Sequence, residues 1–124
     1  MSEKGIFCGI NQPKDAANLT EGERKHIPVI ECPDKVKSGQ PFQVKIKVGE
    51  IPHVSEEGHH IQWIEVKSGE STYARVELTP ALSKAEATVT LVKAGKHRTS
   101  TLRVVERCNL HGMWEAKKEI TVED

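Results

Sequence analysis

From Ile27 onward the chain alternates apolar and polar residues with a period of two. Phe42, Val44, Ile46 and Val48 are separated by Gln43, Lys45 and Lys47, which is the pattern of a strand with one face in a core and the other in water. Ala74, Val76 and Leu78 alternate in the same way with Tyr73, Arg75 and Glu77, and Ala87, Val89 and Leu91 with Thr88 and Thr90. Ile120 and Val122 bracket Thr121. Residues 61–66 and 102–105 are denser apolar runs suited to central strands. Turn signals fall between the runs at Ser38-Gly39, Ser68-Gly69, Thr79-Pro80 and Ala94-Gly95. Residues 1–25 are polar and irregular, with room for a short helical turn over 14–19 after Pro13, and residues 1–22 are expected to pack as an arm on a core made elsewhere. Six or seven short antiparallel strands without a sustained helical period predict an all-β chain, an immunoglobulin-like β-sandwich of about seven antiparallel strands with a polar N-terminal arm.

Composition narrows this picture. A chain of 124 residues suits one domain spanning 1–124. The 18 basic side chains balance 18 acidic ones, so there is no whole-molecule field to draw the protein onto nucleic acid or anionic lipid, and attraction of a charged ligand has to be local. No apolar run reaches the roughly 18 residues of a membrane span, and Met1, Ser2, Glu3, Lys4 and Gly5 do not open a secretory signal, so a cytoplasmic location is expected. Cys8, Cys32 and Cys108 cannot all pair within one chain, and their wide spacing fits a reducing compartment or a metal role.

The six histidines carry more information. Cys108-Asn109-Leu110-His111 falls between two strands, where a thiolate and an imidazole three residues apart on a turn can reach adjacent positions on one metal. Ile51-Pro52-His53 is followed after five residues by His59-His60, which leads into the run at 61–66. In an extended strand His59 and His60 point to opposite faces, and His59 shares its parity with Ile61 and Trp63. His26 follows the basic pair Arg24-Lys25 at the junction of arm and strands. His97, between Lys96 and Arg98, is read as a solvated side chain.

Together, Lys25-His26-Ile27-Pro28-Val29-Ile30, Ile51-Pro52-His53 with His59-His60-Ile61, and Cys108-Asn109-Leu110-His111-Gly112-Met113-Trp114-Glu115 resemble the three metal-binding signatures of the superoxide reductases, in the family's order. The resemblance runs from about Gly22 to Glu119. It implies an immunoglobulin-like fold and one non-haem iron, with His26, His53, His59 and His111 as planar ligands and Cys108 as the axial one. Cys8 and Cys32 stand singly, so the second iron module of the desulfoferrodoxin branch has no counterpart, and the match is to the single-iron neelaredoxin type. Superoxide is the implied substrate, rubredoxin or a similar small protein the implied electron donor, and a homotetramer the implied assembly.

Five protein ligands exceed the four of tetrahedral zinc and leave one octahedral position open, which suits a redox iron. Four neutral imidazoles and one thiolate leave ferrous iron with net positive charge, so an anion is attracted locally. Lys25 is the expected catalytic residue, adding charge beside the open position. The family's first motif usually reads Glu-Lys-His, the glutamate serving as sixth ligand to ferric iron. Here Arg24 takes that place, and Glu23, one residue earlier, is the candidate for a mobile sixth ligand. Two other readings compete. Cys108, His111, Met113 and His53 also resemble a blue-copper set in a cupredoxin-like electron-transfer protein, which leaves His26 and His59 unexplained. A non-catalytic metal-binding module is the other.

Overall fold

The alternating runs become the strands of two sheets. A computed structural model describes residues 7–95 and 98–124. The elements in chain order are β1 (Ile10–Asn11), α1 (Glu21–His26), β2 (Pro28–Glu31), β3 (Lys35–Lys37), β4 (Pro41–Val48), β5 (Ile61–Ser68), β6 (Ser71–Glu77), β7 (Glu86–Val92), β8 (Arg98–Cys108) and β9 (Gly112–Glu123). The larger sheet runs β1-β9-β8-β5-β6, with β3 also on β9, and the smaller runs β2-β4-β7. The chain is all-β with one short helix among the described residues. No helix there is long and apolar enough to cross a membrane.

Alternation reported the buried faces correctly. Every second residue of β4 is buried, from Phe42 to Val48, and these side chains meet Ile61, Ile64, Val66, Leu102, Val104, Ile120 and Val122 of the opposing sheet in one continuous cluster. The dense runs are central strands, β5 and β8. Ser68-Gly69 makes the β5–β6 hairpin, pairing Ser68 with Ser71 across a Gly69 whose φ is 60°, a conformation that favours glycine.

Three expectations need correction. The strands among the described residues number nine, and the two extra ones, β1 and β3, are only two and three residues long and lie parallel to β9. Segments this short carry no readable period; only contact with β9 reveals them. The helical turn lies at 21–26, not 14–19. Asp15 holds its own neighbourhood in turns, accepting from the Ala17 and Asn18 amides. Thr20 and Glu23 instead form a reciprocal capping box, a Thr-x-x-Glu signal visible in the sequence. Finally, a bulge between Ile61 and Trp63 breaks the expected parity: Ile61 and Ile64 turn inward, while Trp63 lies under the Arg75 guanidinium.

Helix α1 is docked by a close backbone approach. The Ile51 amide donates to the Arg24 carbonyl at 3.0 Å, and a Cβ on Gly49 would stand 2.5 Å from that carbonyl oxygen and 2.8 Å from the Lys25 carbonyl carbon. Gly49→Ala is therefore expected to push α1 off the 49–53 loop at a cost of about 1–3 kcal/mol. Urea unfolding of the metal-free chain checks this, and a midpoint equal to that of the parent would contradict the packing described.

Candidate metal centre

Each candidate donor is aimed by its own local backbone. His26 ends α1, buried, with Nδ1 2.7 Å from the Gly22 carbonyl one turn back. A neutral ring meeting a carbonyl there carries its proton on Nδ1, which leaves the Nε2 lone pair pointing away from the helix. His53, in the loop after β4, repeats the arrangement, with Nδ1 2.7 Å from the Val54 carbonyl and its amide bonded to the Val48 carbonyl. His59 precedes β5 in a bridge with Glu56. Cys108 closes β8, and His111 sits in the tight turn before Gly112, whose φ is 80°.

These segments converge at one end of the two sheets. The rings of His26, His53, His59 and His111 form a closed square, with successive centroid distances of 4.9, 4.7, 5.1 and 4.8 Å and each neighbour set edge to face. Nε2 of His26, His53 and His59 is buried without a hydrogen-bond partner. The Cys108 sulfur is fully buried and lies 3.6 Å from Nδ1 of His111. Donor atoms of His26, His59, Cys108 and His111 all lie within 4.8 Å of one another, and His53 is the fourth corner of the ring square just outside that closest group. A pocket of about 580 Å³ opens over the rings, walled by Glu21, Gly22, Lys25, Pro52, Val54 and Trp114.

Lys25 lines this pocket, its Nζ 3.4 Å from a Glu21 carboxylate oxygen. Glu23 does not line it. The side chain expected to be mobile is buried and fixed, one carboxylate oxygen accepting from the Thr20 amide at 2.8 Å and the other from the Lys14 amide at 3.0 Å. Residues 21–26 form a helix, and the carboxylate that lines the pocket is Glu21. Arg24 is exposed and pairs with Glu50. His60 faces away, its ring near the Glu56 carbonyl. Met113 pairs with Arg107 on the strand and is no wall of the pocket. His97 lies outside the described residues.

Electrostatically the hollow is built for neutral rings. Burial holds His26, His53 and His59 below the ordinary imidazole range, His53 at about 4, with the neighbouring rings adding to the effect. Burial pushes the Cys108 thiol up, so displacement of its proton has to come from a bound cation. Two residues before it, Glu106 is fully buried, neither carboxyl oxygen meets a protein hydrogen-bond partner, and burial raises it to about 9. It is thus a neutral acid at pH 7 and places no second negative charge behind the sulfur.

Residues without donors hold the frame, and sequence reading gave them no role. Asn109 exchanges backbone bonds with the segment before β5: its amide donates to the His60 carbonyl, its Oδ1 accepts from the His60 amide, and its Nδ2 donates to the Gly58 carbonyl. That strap holds His59 against Cys108 and His111. Its signal was present in the Cys108-Asn109-Leu110-His111 turn, because asparagine is the side chain that imitates backbone there.

Three buried, unpartnered imidazole nitrogens, a fourth ring and a thiol exceed what a tetrahedral structural metal takes, and they fit one non-haem iron with a side left open toward the pocket. The comparisons agree. Residues 18–117 match the family model described as desulfoferrodoxin. The chain is 43% identical over 117 residues to a protein of Methanocaldococcus jannaschii, covering 94% of this chain and 97% of that one. It is 40% identical over 115 residues to the desulfoferrodoxin of Syntrophotalea carbinolica, covering 90% and 78%. The superoxide reductase (neelaredoxin) structure from Ignicoccus hospitalis superposes with a TM-score of 0.79 at 38% identity, covering 92% and 95%. With its His-Cys cluster set in the same fold, the chain belongs to the desulfoferrodoxin and neelaredoxin family of superoxide reductases.

Proposed function

We propose that residues 1–124 form one superoxide reductase domain in which His26, His53, His59, His111 and Cys108 would hold a single iron and Lys25 serves the side open to the pocket. The closed square of four imidazoles with a buried sulfur 3.6 Å from one of them carries this reading. A blue-copper set would use neither His26 nor His59, and both are corners of the square. We read the two sheets as an immunoglobulin-like sandwich, supported by their shared core.

The reaction is superoxide plus one electron plus two protons giving hydrogen peroxide. Iron, when bound, supplies the electron. The protein does the rest. The Lys25 Nζ at the pocket wall, held at the rim by Glu21, supplies local positive charge for an approaching anion. Lys25 Nζ can also donate a hydrogen bond to the water that delivers a proton. Val54, Pro52 and Trp114 give the pocket apolar walls. The replacement electron comes from rubredoxin or a similar small carrier docking near the pocket. A homotetramer and a reducing cytoplasmic setting complete the reading, the latter supported by three free cysteines, one of them exposed.

Cys108→Ser is expected to keep the fold while losing the visible thiolate-to-iron band of the ferric protein and most of the reductase activity. An absorption spectrum matching the parent would overturn the sulfur's role. Lys25→Ala should leave that spectrum in place and slow the reaction of the ferrous protein with superoxide by about tenfold, by weakening local anion attraction. Stopped-flow mixing measures it, and an unchanged rate at low ionic strength would contradict it.

Acid dependence follows from the depressed histidines. Folded values below the unfolded value of about 6.5 favour the neutral rings, so their contribution to stability is complete above that pH and is lost as pH falls toward the folded values, about 4 for His53. The same protons compete with the metal. Iron measured after desalting is therefore expected to stay bound at about pH 6 and to be lost as pH approaches about 4. Complete loss already at neutral pH, or retention in strong acid, would contradict the assignment.

A further inference from the structure

The four rings come from segments far apart in sequence, and most sides of the square have a visible fastening. His53 and His59 are joined by five residues of chain. His59 and His111 are strapped by Asn109. His26 and His53 are tied by the bond between Ile51 and Arg24 and by the close approach at Gly49. On the remaining side, His26 rides on a helix of six residues that pairs with no strand, whereas His111 belongs to the β8–β9 turn. The two ring centroids are nonetheless only 4.8 Å apart.

Trp114 spans that side. Its ring stacks on His26 with a centroid distance of 5.0 Å and an interplanar angle of 20°, while its Nε1–H donates to the His111 backbone carbonyl at 3.0 Å. The residue itself is fixed on β9, opposite Glu106 on one side and Asn11 of β1 on the other. His26 is anchored on its own helix through Nδ1 and Gly22, and one such bond leaves the ring free to swing about it. A stacked indole removes that freedom. The indole N–H meanwhile occupies a carbonyl at the apex of the ligand turn, holding the peptide from which His111 projects.

We propose that Trp114 is a positioning residue of the iron centre, fixing the plane of His26 through its ring and the His111 turn through its N–H so that these two ligands are in register before metal arrives. This rests on the assignment of His26 and His111 as iron ligands. Partners of this kind, which orient a ligand without touching the metal, typically change affinity by about 10- to 100-fold when removed. Trp114 has two separable contributions, and two substitutions divide them: Trp114→Phe keeps an aromatic face for His26 and loses the N–H donor, whereas Trp114→Leu loses both.

The test uses the full chain loaded with ferrous iron, its affinity measured by competition with a chelator, and the energy of the ferric thiolate band recorded on the same samples. Trp114→Leu is expected to weaken iron binding by at least about tenfold and to shift the band, with Trp114→Phe intermediate in both. Val122→Ala, a core deletion far along β9 from the turn, supplies a destabilised reference that should change neither the affinity nor the band. If Trp114→Leu does not fold, Trp114→Phe decides the matter through the band and the affinity. Folded variants that bind iron as the parent does, with the parent's band, would overturn the positioning role. A parent chain that binds no iron would instead overturn the reading of the metal centre, and the role of Trp114 with it.

Discussion

Everything at the functional end depends on keeping the imidazole rings of His26, His53 and His59 uncharged while they are packed edge to face. Two opposing demands meet there. A buried ring resists protonation because the interior cannot solvate the charge, and each neighbour that gained a proton would repel the others. The same burial leaves Nε2 of His26, His53 and His59 without partners, which is costly for a polar atom unless a ligand takes the lone pair. The hollow is thus held neutral and unsatisfied together, and a cation resolves both.

The sheets beneath supply rigidity. Cys108 ends a strand lying between β9 and β5, and its sulfur is sealed from solvent. Cys108 is packed among the aliphatic side chains of the core shared by the two sheets, so its sulfur cannot be displaced without opening that core. Glu106 shows how strict this interior is: lacking a protein partner, the carboxyl keeps its proton, whereas Arg103 reaches the buried Glu115 at 2.7 Å.

The polar arm contributes more than covering. Its Lys14 amide and the Thr20 amide share the Glu23 carboxylate, which fastens arm and helix into one unit, and its β1 extends the large sheet alongside β9 next to Trp114. Loss of such a capping box costs about 1 kcal/mol, a modest figure that acts on the helix holding a ligand. Glu23 therefore serves the centre as a brace, and Glu21, one turn before Lys25, is the carboxylate that stands at the pocket.

The sequence by itself determined the strands with a wet face and a dry one, since a period of two survives any arrangement of neighbours, and it marked His26, His59, Cys108 and His111, which the fold gathers into one cluster able to hold a metal ion. The capping box at Thr20 and Glu23 is equally legible, and it marks the start of the helix at 21–26. What only the tertiary structure decided were matters of pairing and approach. A two-residue strand has no period, so β1 exists only because β9 lies beside it. The bulge at 61–63 reverses parity without a mark in local composition. Gly49 needs to be glycine only because α1 descends on it, and Trp114 reads as one more apolar residue of β9 until His26 arrives from a distant helix to stack on it. Alternation records how each segment meets water, and it holds no record of which other segment it will meet.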